Sequence, residues 1–563
     1  MNQSVERSSS DTLDTLDTLV VGAGFAGMYG LVKLRQLGMS VIAIEAAGDV
    51  GGTWYWNRYP GARCDVESME YSYSFSDALQ QEWNWSERYA AQPEILAYAQ
   101  HVAARFDLRR SIRFNTRIVK AQYDWNTQRW SATTDQGDTV HARFILMAGG
   151  CLSLPRLPDF PGRDDFEGRI LHTGRWPHEP VSFDGLRVGV IGTGSSGIQV
   201  IPQVAKAAKQ CVVFQRTPGY SLPAFNRSLD DEFRHWYKLN YSQRREKARY
   251  SVAGSASHPV PTRSAFSDSH EERAETYEGA WARGSTSFLR CYNDILTDRT
   301  ANETMSEFVR HKIRATVKDS RVAEKLIPKT HQIGTKRICL DTNYYETYNR
   351  DNVRLIDLRQ DPLVRFTRTG IQTESEHCEL DAVVFATGYD AMTGALLDID
   401  FSVKGGASLR EKWRSGATTY LGLMTAGFPN LFIVTGPGSP SVLANMITGI
   451  EQHIEWIADC LRFVRENGYT TVEADPVAER QWVDHVNQLA DATLLPQADS
   501  WYVGANIPGK PRVFLPYVGG HGNYRMKCAD VAFQHYEGFL FGRGGSAQDT
   551  SSVSHSERMS NNG

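Results

Sequence analysis

Cysteine is sparse and scattered in this chain of 563 residues. The eight cysteines, Cys64, Cys151, Cys211, Cys291, Cys339, Cys378, Cys460 and Cys528, include no C-x-x-C pair. That spacing offers no thioredoxin-like dithiol, no zinc knuckle and no disulfide framework. Long apolar runs are also missing: the only early one, Leu19 to Leu37, is broken by Gly22, Gly24, Gly27, Gly30, Lys33 and Arg35, so it does not suit a membrane span. Charge of one sign is not massed anywhere. The 61 basic and 65 acidic residues nearly cancel to a formal net charge of -4, which leaves no electrostatic footprint for nucleic acid. Residues 1–17 are polar and acidic, without the basic and apolar regions of a signal peptide, so a cytoplasmic setting is expected. They and the Ser- and Asn-rich residues 544–563 are expected to be disordered tails. What remains, 41% hydrophobic and 22% charged, is the composition of an ordinary globular protein too long for a single core.

Glycine, by contrast, is placed with purpose. Leu19-Val20-Val21 predicts a short buried strand, then come Gly22-Ala-Gly24-Phe25-Ala-Gly27, a helical run to about Leu37, and a second strand, Val41 to Glu45, ending in an acid. This is the order of a dinucleotide-binding unit: Gly22 permits the tight turn, Gly24 lets the backbone approach a pyrophosphate, and Gly27 lets the helix pack closely. Glu45 falls where a ribose hydroxyl needs an acceptor and would repel a 2′-phosphate, so the unit suits FAD or NAD. The signature recurs at Val188 to Ile191 with Gly192-Thr-Gly194-Ser195-Ser196-Gly197, a helix to about Ala207 and the strand Cys211 to Phe214. Here the acid is replaced by Gln215-Arg216-Thr217, and an arginine beside a hydroxyl suits a 2′-phosphate, hence NADPH.

The fold class expected is therefore α/β, with two Rossmann-like dinucleotide-binding domains. Phe144 to Gly150 reads as the strand closing the first unit, and Asp381 to Ala386, leading into Thr387-Gly388, as the crossing back to it. The first domain is then discontinuous, residues 18–150 with 390–543, the second spans 151–225 with 330–389, and residues 226–329 form a helical insertion in the second. Between the signatures lies Phe166-x-Gly168-x-x-x-His172-x-x-x-Trp176-Pro177, and after the first acid comes Gly51-Gly52-Thr53-Trp54, then Tyr59-Pro60-Gly61 and Asp65. Each alone would also suit a linker or an aromatic surface loop.

Together these stretches match the two fingerprints of the type I Baeyer–Villiger monooxygenases, and the chain resembles that family from about Leu19 to Phe541. In the detail of Trp54 to Ser68, Gly334 to Arg337, Gly436 to Met446 and Trp501 to Arg512 it is similar to the phenylacetone and steroid monooxygenase branch. The resemblance implies an enzyme in which NADPH reduces FAD, O2 adds to the reduced flavin as an anionic peroxide, and one oxygen atom enters beside a ketone carbonyl. It implies that Arg337 is the catalytic cation, paired with Asp65, and that Lys336 joins Arg216 and Thr217 at the NADPH phosphate. It further implies Phe25, Thr53, Trp54, Tyr71 and Met446 as flavin-side contacts, and Gln199 and Trp501 as nicotinamide-cofactor contacts. The resemblance also implies that His172 couples domain movement to cofactor position rather than touching substrate, and Ser441 to Ala444 resemble the loop that lines the substrate pocket in that branch. A ketone and O2 are the expected partners, with neither membrane nor nucleic acid, for a monomer. A flavin-containing N- or S-monooxygenase stays open as the alternative, since it shares both glycine signatures, although it lacks a counterpart of Arg337 and of Trp176-Pro177.

Overall fold

A computed structural model describes residues 15–543. Both expected tails lie largely outside that range, but Leu16 and Asp17, assigned to the first tail, are the opening residues of the strand Leu16–Val21. Leu16, Leu19, Val20 and Val21 are all buried, which explains why the strand starts earlier than the apolar run suggests.

The first sheet has eight strands. Leu16–Val21 lies between Val41–Ile44 and Thr139–Met147, parallel to both, and Ile112–Arg113 extends it at one edge. Beyond Thr139–Met147 the strands Arg129–Thr134 and Ile118–Asp124 run antiparallel, and Asp400–Val403 closes that edge. Leu431–Ile433 also pairs with Thr139–Met147, so the sheet draws on two distant parts of the chain. The first glycine helix, Phe25–Gln36, is buried along most of its length because it is sandwiched between this sheet and the helix Met446–Glu466. A Cβ on Gly30 would meet Leu146 Cδ2 at 2.7 Å.

The second sheet is parallel throughout, in the order Val353–Asp357, Gln210–Gln215, Arg187–Ile191, Ala382–Phe385, Arg169–His172. The motif between the two glycine signatures is thus no linker: Arg169–His172 is the edge strand, and a short 3-10 turn, Thr173–Arg175, follows it. Gly168 is needed there because a Cβ would come within 2.3 Å of Phe166 Cζ and 2.7 Å of the Asp381 carbonyl.

The helical stretch 226–329 does not sit in the second unit alone, as the sequence suggested. Asp231–Leu239 and Tyr241–Tyr250 bury Tyr237 and Tyr241 in the core of the first unit, and Arg245 donates to the Glu70 carbonyl and Ser72 Oγ there. The later helices, His270–Ala282, Arg299–Thr316 and Ser320–Leu326, pack into the core of the second. Aromatic residues at helical spacing mark a buried face without stating which core receives it. Among the described residues, no helix is long and apolar enough to cross a membrane.

Candidate functional site

The two glycine turns open onto one continuous cavity of about 990 Å³. At one end, Gly22 takes φ +104° and donates to the Ile44 carbonyl at 2.8 Å, which bends the chain from strand into helix. Gly27 then packs so closely that a Cβ would lie 1.9 Å from the Gly22 carbonyl oxygen. Gly24 faces Gly52, itself at φ +52°, with a notional Cβ only 3.4 Å from Gly52 Cα. A glycine-lined cradle at a helix N-terminus suits a pyrophosphate. Glu45 spans the turn, accepting from the Ala23 N–H at 2.6 Å and the Ala47 N–H at 2.7 Å. Burial raises its pKa, with those N–H groups pulling the other way.

The second turn repeats the device. Gly192 has φ +107°, a Cβ on Gly197 would meet the Gly192 carbonyl oxygen at 2.2 Å, and the space over Gly194 is open. Helix Ser195–Ala207 starts there, and Thr193 Oγ1 ties the turn to the Thr217 carbonyl at 3.2 Å. Gln199 accepts from Tyr59 O–H at 2.7 Å and donates to the Arg63 carbonyl at 2.9 Å, so it fastens this helix to the aromatic loop of the first unit. Arg216 reaches the cavity with neither hydrogen bond nor carboxylate among the described residues.

Between the turns stand Asp65 and Arg337. One Arg337 nitrogen, Nη2, donates to both Asp65 oxygens, at 2.7 and 2.8 Å, and Nη1 donates to the Val442 carbonyl at 2.7 Å. Three chain segments therefore meet on one guanidinium. Its pKa is held well above the ordinary arginine value, chiefly by the Asp65 charge, so it is a permanent cation. Both side chains keep part of their surface on the cavity wall, 31% for Arg337 and 17% for Asp65. Ser441, held at φ +43°, starts the 3-10 turn Ser441–Leu443 that presents the Val442 carbonyl.

The cavity wall gathers Gly22, Gly24, Phe25, Glu45, Thr53, Trp54, Asp65, Tyr71, Met446, Gly192, Gly194, Ser195, Ser196, Gln199, Arg216, Thr217, Arg337 and Trp501. Trp54 donates its indole N–H to Tyr71 O–H at 3.2 Å, and Phe25 meets the Tyr71 ring edge-on at 6.0 Å. Four expected residues are not on the wall. Gly27 and Gly197 act in packing. Lys336 does not line the cavity; burial lowers its pKa, with nearby Asp499 opposing and Arg216 reinforcing the shift. His172 is buried behind the wall: its Nδ1 accepts from Gly174 N–H at 2.9 Å, so the neutral ring carries its proton on Nε2, 3.1 Å from the Arg156 carbonyl. Burial lowers its pKa and keeps it neutral.

Sequence reasoning passed over several wall residues. Arg175 stacks on Trp56 at 4.3 Å, Tyr389 O–H donates to Asn57, and Arg156 donates to the Asn506 carbonyl. Arg156 lies in Leu154-Pro155-Arg156-Leu157-Pro158, an irregular segment with no periodicity to betray its position. No group of His, Cys, Asp or Glu among the described residues could hold a metal ion.

Two glycine turns on one cavity, with a fixed cation between them, define a two-dinucleotide flavoprotein. Known proteins narrow this further. The flavin-binding monooxygenase-like family model matches residues 17–240. A Baeyer–Villiger monooxygenase of Pseudooceanicola batsensis is 44% identical over 92% of this chain and 95% of its own length. An acetone monooxygenase (methyl acetate-forming) of Gordonia sp. strain TY-5 is 42% identical over 92% and 97%. Among solved structures, an oxidized steroid monooxygenase bound to NADP superposes with a TM-score of 0.90 at 53% identity, covering 94% of this chain and all of that one. This chain belongs to the Baeyer–Villiger monooxygenase family.

Proposed function

We infer that the chain catalyses the FAD-dependent reaction of a ketone, NADPH, O2 and a proton to an ester or lactone, NADP+ and water. The observation that carries this is Arg337, held by Asp65 and the Val442 carbonyl on the wall between the glycine turns. FAD, when bound, accepts hydride from NADPH and activates O2. The residues fit it: a cradle free of Cβ atoms, an acid at the ribose position and an aromatic wall of Trp54 and Tyr71. Arg337 supplies a cation that needs no rearrangement when negative charge develops on the transferred oxygen and on the ketone oxygen. Asp65 fixes its orientation and moderates its attraction for anions. Glu45 takes the flavin-side ribose, and Phe25, Thr53 and Met446 complete that pocket. Ser195, Ser196 and Gln199 receive the second dinucleotide, Arg216, Thr217 and Lys336 its 2′-phosphate, and Trp501 its nicotinamide end. His172 holds the Arg156 segment in place rather than touching substrate.

The two sheets support a division of labour in which 16–150 and 390–543, with the helices Asp231–Leu239 and Tyr241–Tyr250, bind FAD, and 151–225 and 330–389 bind NADPH. Eight free cysteines suit a reducing cytoplasm. A bulky ketone, aryl-substituted, cyclic or steroidal, is the substrate class, supported by the 53% identity to steroid monooxygenase. The test is a panel of linear, cyclic, aromatic and steroidal ketones scored by product mass. Ester or lactone formed with NADPH consumption is the expected result; conversion of amines or sulfides alone would move the protein to the N- and S-oxygenating class.

A further inference from the structure

Three guanidinium groups on the cavity wall, Arg156, Arg175 and Arg216, have no carboxylate partner among the described residues. Arg175 is accounted for by its stack on Trp56. Arg156 and Arg216 are different, because the fold brings them to the same end of the second sheet: Arg156 is bonded to Thr387 and Gly388, just past the strand Ala382–Phe385, and Arg216 follows Gln210–Gln215, with only Arg187–Ile191 between those two strands. Burial first and then the Arg216 charge lower the Arg156 pKa. Lys336, off the wall, also feels the Arg216 charge. The carboxylates nearby are already engaged, Asp390 by Lys510 at 2.5 Å and Asp499 by Arg512 at 2.7 Å. Like charges gathered on a partly desolvated wall repel, and such a cluster persists because an anion compensates it when bound.

We propose that Arg156 is a second specificity-determining cation for the NADPH 2′-phosphate, acting with Arg216 at the end of the second glycine unit. This rests on the coenzyme reading above. Its main chain is preorganised for the role. Pro155 and Pro158 restrict the segment, the Arg156 N–H donates to the Gly388 carbonyl at 2.9 Å, and its carbonyl accepts from Thr387 O–H at 2.6 Å and from the His172 ring. The guanidinium is steadied by the Asn506 carbonyl, which leaves further donors for a ligand, and a planar fork suits a phosphate. Because the family-motif histidine grips the carbonyl of the very residue whose side chain meets the phosphate, the edge strand and the coenzyme end are joined by one residue.

The test uses the FAD-loaded enzyme, its Arg156→Gln and Arg156→Lys variants, and Arg216→Ala for reference. KM and kcat are measured with NADPH and NADH, and 2′,5′-ADP and 5′-ADP are titrated as inhibitors. Arg156→Gln is expected to raise the NADPH KM and weaken 2′,5′-ADP each about tenfold, the loss falling on KM rather than kcat, with NADH and 5′-ADP shifted less than about twofold. Arg156→Lys should recover part of the loss. FAD absorbance checks that each variant keeps its fold. If wild-type enzyme and Arg216→Ala show the NADPH preference and its loss, yet Arg156→Gln keeps the preference or weakens both coenzymes equally, this assignment fails alone. A wild-type enzyme indifferent to the 2′-phosphate would overturn the coenzyme reading together with it.

Discussion

Two aspartates near one strand show how surroundings decide what a carboxyl does. Asp65 meets a guanidinium that donates to both its oxygens, so its charge is matched at the cavity wall. Asp341, at the end of the strand Cys339–Asp341 just past Arg337, has only the Ser221 hydroxyl at 2.6 Å and the Tyr344 N–H at 3.2 Å. Burial pushes its pKa up to about 6, the hydrogen bonds opposing. A carboxyl whose pKa is raised on folding favours the folded state at low pH. That contribution is full below the unfolded value of about 3.9 and is lost as pH rises to about 6, so above pH 6 the native protein carries an unfavourable charge. Asp341→Asn removes the titration. Its stability relative to wild type is expected to improve by about 1 to 2 kcal/mol between pH 5 and pH 8, read from denaturant midpoints. A difference that does not change with pH would show that Asp341 is not held in this way.

At the scale of elements, the glycine turns are the least forgiving parts. A methyl group on Gly27 would have to occupy the position of the Gly22 carbonyl oxygen, 1.9 Å away, so helix Phe25–Gln36 must move off its sheet. Overpacking of this kind typically costs about 1 to 3 kcal/mol. Gly27→Ala is expected to purify with little FAD and a lowered melting temperature, whereas alanine at the exposed Gly279 of helix His270–Ala282, where nothing lies within 4 Å, should keep its FAD. Full FAD content in Gly27→Ala would contradict the close packing.

These turns were also the most legible elements, because strand, glycine spacing and terminal residue repeat a physical requirement that only short side chains and a sharp turn satisfy. Glu45 and Arg216 followed from the same logic. The edge strand Arg169–His172 was not read as a strand, since four residues give too short a period to distinguish from a loop. Nor was the allegiance of Asp231–Tyr250 to the first core, which depends on long-range packing of Tyr237 and Tyr241. The Lys336-Arg337 pair reads as two adjacent cations in the sequence, but in the fold only Arg337 lines the cavity, where it meets Asp65. Arg156 was missed because its value lies in a fold-made neighbourhood.

For the whole molecule, the cavity joins two tasks with different physical demands. Hydride transfer from NADPH needs two rings placed face to face, and in the proposed reading the two glycine turns on one cavity serve that step; oxygen transfer needs a cation where negative charge develops, the role proposed for Arg337. Removing one preorganised electrostatic stabiliser lowers the rate of the step it serves by about a hundred- to a thousandfold, and a lysine cannot replace the planar fork shared by Asp65 and the Val442 carbonyl. The separation of the two tasks is tested most directly with Arg337→Ala in a stopped-flow instrument. Flavin bleaching by NADPH is followed without oxygen, and ester and hydrogen peroxide are then quantified after oxygen and ketone are admitted. The account predicts that the variant still binds FAD and is still reduced, forms no detectable ester, and returns its reducing equivalents as hydrogen peroxide. Ester formation at near wild-type rate would contradict it, and would leave Arg337 a structural cation.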